Sequence, residues 1–143
     1  MGRRVLVVVV LAGLALLLGP NAPAGAQEAA IEQARTAARA WLALLDGYEF
    51  EESWRAAGEM LKGTVTQEEF ATKMSATLGP LGAVSSRGAK SSEHSTTLPG
   101  APDGEYVVLK FDTVFKNEQS AVETVVLRKE PDGLWRVSGY RIL

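Results

Sequence analysis

EYVVLKFDTVF at residues 105–115 and SAVETVVLRK at residues 120–129 decide how this chain is built. Both runs are dense in β-branched and aromatic residues, which suit a pleated, half-buried surface. The short polar link KNEQ makes them a hairpin. EPDG, residues 130–133, then turns the chain into LWRVSGYRIL. Pro131, Asp132 and Gly133 fit a three-residue hairpin loop built on a type I turn and a left-handed residue. Upstream, Val84 to Thr97 is rich in Ser and Thr and reads as a long edge strand. The Pro- and Gly-rich segment LPGAPDG loops from it into the first strong strand. These pieces predict a four-stranded antiparallel meander.

Before Gly79 the apolar spacing is helical. Ile31, Ala34, Ala38, Trp41, Leu42 and Leu45 advance by three or four and form one stripe. Gly47 is placed to supply a left-handed residue that closes this helix. EFEESWRAAGEML predicts a second, shorter helix offering Phe50, Trp54 and Met60 for burial, with Gly58 weakening its far end. Thr66 followed by Glu69 marks a capping box opening a third helix. Phe70, Met74 and Leu78 line that helix, and Gly79-Pro80 ends it. Three helices followed by a meander give an α+β layer fold, a single domain over residues 27–143.

Lys110 and Asp112 are two positions apart, hence on one face of their strand. Hairpin geometry without irregularities sets Asp112 opposite Glu123, Lys110 opposite Val125, Glu123 opposite Arg141 and Leu127 opposite Val137. Two acids and two bases then share a patch, flanked by Tyr106 and Trp135. The other face collects Val107, Leu109, Phe111, Phe115, Val122, Val126, Tyr140 and Ile142, and the helices are expected there. Tyr106, Lys110, Asp112, Glu123, Trp135 and Arg141 therefore form the candidate binding face. A one-residue slip in either loop would exchange the faces.

The chain opens MGRRVLVVVVLAGLALLLGPNAPAGAQ. Arg3 and Arg4 precede an apolar run from Val5 to Leu18, Gly19-Pro20 breaks it, and Ala24 and Ala26 supply small residues at a cleavage site. This layout predicts a secretory signal peptide cut after Ala26. The run is shorter than the roughly 20 residues of a spanning helix, so no stable membrane span is expected after cleavage. Export to the periplasm or the medium follows. Losing both arginines takes the formal charge from −2 to −4. A mildly acidic chain without a basic run is a poor match to nucleic acid. Without cysteine, thiol catalysis, Cys-ligated zinc and disulfide staples are excluded.

Other chemistry is thinly signalled. His94, the only histidine, lies in SSEHSTT and reads as a surface residue, since metal and triad sites need partners in number. The serines lack a GxSxG elbow. GAPDG precedes a strand, whereas phosphate loops feed a helix. No catalytic residue, metal or cofactor is expected. Trp41 belongs to the helix stripe and to the core; Trp135 reads as partly exposed. Ile142 and Leu143 tie the last strand down to the terminus.

The stretches AARAWLALLDGYEFEESW, LPGAPDGEYVVLKFDTVF, ETVVL and DGLWRVSGY resemble the bacterial family called domain of unknown function 4019. The resemblance spans about Ala37 to Ile142. It implies export and a cystatin-like or NTF2-like cone, with helices packed on a curved sheet, and it transfers no activity. The leading expectation is a non-enzymatic envelope module binding a protein or small ligand through one sheet face. Apolar residues on both faces imply a cover for the second, for which another copy of the chain, a homodimer, is one candidate. The alternative is a small hydrolase or isomerase using Asp112 or Glu123 in a conical pocket.

Overall fold

The computed structural model describes residues 23–143. The apolar run Val5–Leu18 lies outside the described residues, and Ala24 and Ala26 stand in the exposed first turn of a helix. That helix, α1, runs Ala24–Asp46 and buries Ala34, Ala38, Trp41, Leu42 and Leu45 as its spacing predicts. Its closing residue differs from expectation. Gly47 has φ −85° and Tyr48 takes the left-handed conformation at φ 58°. The Tyr48 ring meets Phe50 edge-on at 5.8 Å, a contact that favours the tyrosine there.

The expected second helix is two helices, α2 (Phe50–Ala56) and α3 (Glu59–Thr64). Gly58 separates them because the chain there presses on the last strand. Its amide donates to the Val137 carbonyl at 2.8 Å. A Cβ at Gly58 would stand 3.3 Å from Arg136 Cβ and 2.6 Å from the Glu130 carboxylate. Helix α4 (Gln67–Leu78) opens on the predicted capping box of Thr66 and Glu69. It buries Phe70, Met74 and Leu78 and passes into a 3₁₀ turn, Gly79–Leu81.

Four strands follow: β1 (Val84–Ser95), β2 (Tyr106–Phe115), β3 (Glu118–Lys129) and β4 (Trp135–Ile142). They form one antiparallel sheet in the order β1-β2-β3-β4, the predicted meander, with β1 at the edge. Gly133 sits at φ 85° in the expected three-residue loop, closed by Gly133 N–H to Glu130 O and Glu130 N–H to Leu134 O.

The register departs from the ideal twice. Lys116-Asn117 make a two-residue loop, so Phe115 faces Glu118; Gln119 and Ser120 then span on β3 what Val114 alone spans on β2. This bulge sets Asp112 opposite Val122, Lys110 opposite Thr124 and Phe111 opposite Glu123. On β4, Leu127 faces Val137 as expected, but Val126 faces Gly139, leaving Ser138 as an extra residue. Beyond it Thr124 faces Arg141 and Glu123 faces Ile142. Each inserted residue exchanges faces for everything past it.

The main core consequently joins α1, α2 and α4 to Val107, Leu109, Phe111, Phe115, Val125, Leu127, Trp135, Val137, Tyr140 and Ile142. Val125, Leu127, Trp135 and Val137 are expected on the other side, and Val126 on this one; the bulge on β3 accounts for all five, and the one at Ser138 keeps Tyr140 and Ile142 in the core. A smaller cluster of Tyr106, Val108 and Val126 on the reverse face is covered by Leu98, Ala101 and Met60. The loop between β1 and β2 thus folds over part of the second face, and Tyr106 Oη donates to Pro102 O at 2.6 Å.

Candidate functional site

The structure splits the six residues of the expected binding face. Glu123 and Trp135 lie under the helices. Tyr106, Lys110, Asp112 and Arg141 stay on the reverse face, where Tyr106 is fully buried in the small cluster and Asp112 pairs with Lys90 at 3.2 Å. No quartet forms, because the bulge on β3 has carried one of its acids through the sheet.

Inside the core Glu123 is 1 % exposed. Its Oε1 accepts from Arg87 Nε at 2.8 Å and Thr113 Oγ1 at 2.6 Å, and its Oε2 from Tyr140 Oη at 2.5 Å. Arg87 reaches on to Asp46, both of whose oxygens accept from the guanidinium at 2.8 Å. Asp46 is the last residue of α1, where a negative charge opposes the helix dipole; Arg87 answers it. One arginine on the edge strand therefore ties the end of the long helix to the sheet interior. Burial alone would depress Arg87, but the two carboxylates outweigh it and its pKa rises. Burial, then the Glu123 charge, pushes the Tyr140 phenol well above its usual range. The crevice at Glu123, between Leu45, Leu78 and Phe115, holds about 10 Å³, the lower limit for one water. This carboxylate is held by three donors and has no room for a substrate.

A larger hollow lies on the other flank of α1. A trough of about 640 Å³ runs between α1 and the β3–β4 hairpin. Gln33, Ala37, Ala40 and Leu44 form its helix wall and Leu134 its rim, with Trp41, Trp135 and Val137 beneath. From Gln33 to Leu44 it extends about 16 Å along the helix. Trp135 is 7 % exposed rather than an open surface residue, because the bulge register turns it inward; its Nε1 donates to Gln33 Oε1 at 3.3 Å. Leu134 is 57 % exposed. Among the described residues Arg136 is the only charged one in the lining, and both its terminal nitrogens donate to Asp132, at 3.1 and 2.8 Å. That pairing lowers the Asp132 pKa and raises that of Arg136. The trough is apolar and carries no free charge.

His94 is buried, not superficial. It faces Val107 across the ladder, so strand alternation carries it into the same packed layer. Its Nε2 lies 3.2 Å from Glu105 Oε1, and Nδ1 has no partner among the described residues. Among the described residues no group of three His, Asp or Glu could hold a metal ion. No helix there is long and apolar enough to cross a membrane.

Neither Arg87 nor the trough emerges from reading the sequence. Arg87 sits in a strand whose side chains otherwise look solvated, and nothing local marks it. The trough did leave a trace: Ala37, Ala40 and Leu44 repeat at helical spacing beside the main stripe, and Leu134 is an unexplained leucine at a turn.

Comparison with known proteins agrees with the resemblance in the sequence. Residues 37–140 match the family described as "Protein of unknown function (DUF4019)". No curated protein and no solved structure matches the chain.

Proposed function

We propose that this chain, which belongs to the DUF4019 family of proteins of unknown function, is a non-enzymatic binding module seated on the trough between α1 and the β3–β4 hairpin. One observation carries the reading: 640 Å³ of open apolar space whose only charged wall residue is already neutralised. Ligand sites are typically concave, mostly apolar and roughly 300–1,000 Å³. A seat without free charge selects an uncharged occupant, since a buried unpaired ion would cost several kcal/mol. Its length suits an elongated apolar molecule lying against Trp41 and Trp135.

The N-terminal layout supports delivery to the periplasm or the medium with residues 1–26 removed. One long helix against a four-stranded antiparallel sheet is the reason to group the domain with cystatin-like or NTF2-like cones. The rival reading, a hydrolase or isomerase using Asp112 or Glu123 in a conical pocket, finds about 10 Å³ beside Glu123 and an exposed Asp112 paired with Lys90. Those carboxylates stand on opposite sides of the sheet.

N-phenylnaphthylamine, an uncharged apolar fluorophore, tests the proposal. It is expected to bind saturably, and Ala40→Trp, which fills the trough from an exposed helix position, is expected to weaken it at least about tenfold, or 1.4 kcal/mol. Equal affinity in a folded Ala40→Trp protein contradicts the assignment.

A further inference from the structure

The reverse face of the sheet holds a buried donor without a partner, Arg141 Nε, independent of the trough. The observed register aligns Lys110, Thr124 and Arg141 in one row across β2, β3 and β4. Adjacent strands lie about 4.8 Å apart, so the two cations leave the backbone roughly 10 Å apart with Thr124 between them. Thr124 is 4 % exposed and stands between the two cations. Arg141 Nε is buried and has no hydrogen-bond partner among the described residues. Neither Lys110 nor Arg141 forms an ion pair there, since Asp112 is engaged by Lys90 and Glu123 lies beneath the sheet. Glu93 projects from β1 opposite Val108, one strand further out and in the neighbouring row, and Asp103 lies in the loop beside Tyr106.

We infer that the Lys110–Thr124–Arg141 row is an oxyanion-binding site, taking a phosphate or carboxylate group. The unsatisfied Arg141 Nε is a donor, and buried polar groups are nearly always paired. The missing partner is an acceptor, and beside two cations an anionic acceptor forms charge-assisted bonds. Arg141 supplies a planar fork, Thr124 a single hydroxyl, and Lys110 a mobile third contact.

Titration of the ¹⁵N-labelled full domain with inorganic phosphate and, in a separate arm, with succinate tests this. Saturable amide shifts at residues 110, 124 and 141 in either arm support the site, and the stronger arm identifies the preferred oxyanion. Lys110→Gln and Arg141→Gln are each expected to weaken binding at least fivefold, and Thr124→Val about threefold, with N-phenylnaphthylamine uptake unchanged. Lys110 is a half-exposed side chain whose loss leaves the fold intact, so the test stands even if Arg141→Gln misfolds. Absence of saturable shifts in both arms, or unaltered affinity in Lys110→Gln, overturns the inference.

Discussion

A carboxylate as deeply buried as Glu123 costs several kcal/mol in lost hydration, and three donors offset that cost. Arg87→Met is therefore expected to lower the unfolding free energy by about 3–5 kcal/mol in urea titrations, because it leaves an uncompensated buried charge. Arg87→Met combined with Glu123→Leu should recover most of that loss. A double variant as unstable as the single one would contradict the balance. Tyr140 sets the behaviour at high pH. Its folded pKa is raised well above the ordinary value of about 10. The unfolded chain therefore releases this proton first, and stability present below pH 10 falls as pH climbs above it. Phenolate absorbance from Tyr140 should appear only together with unfolding, and Tyr140→Phe should flatten the alkaline fall. At this scale the sequence was a poor guide. Glu123 and His94 look like solvated strand residues, and what buries them is the layer into which the ladder turns them, not their neighbours in the chain.

Helix and turn formation were legible because the causes are local. The Thr66–Glu69 capping box is present, with Thr66 Oγ1 accepting from the Glu69 amide at 3.2 Å. Thr66→Ala should cost about 1 kcal/mol, read as a small drop in urea midpoint with unchanged slope. Gly133 likewise takes the left-handed conformation its loop requires. Strand register was not legible, because a bulge is selected by which side chains fit the core. Trp135, Val137, Tyr140 and Ile142 all pack inward, and only an inserted residue lets odd and even positions share a face. Gly139 inside a strand pattern was the available hint. Deleting Ser138 should therefore leave a regular ladder that still turns Trp135, Val137, Tyr140 and Ile142 into the core, and cooperative unfolding should survive. Loss of the cooperative transition would contradict this reading of Ser138 as the extra residue.

For the whole molecule, the α+β order and the single sheet follow from the change in apolar spacing near Gly79, and the structure has both. The trough does not follow, because its walls come from residues 33–44 and 133–137 and meet only after folding. The same assembly that opens it closes the other flank of α1 with the Asp46–Arg87–Glu123 chain, so one long helix carries a locked side and an open side. If the open side is the ligand seat, an apolar occupant must lie against Trp41 and Trp135 and away from Trp54, whose Nε1 donates instead to Val65 O at 2.8 Å. Titration with a brominated long-chain alcohol, read by tryptophan fluorescence in a Trp54→Phe protein, tests this most directly. Saturable quenching that persists without Trp54 is the predicted result; quenching that disappears with Trp54 would place the ligand elsewhere.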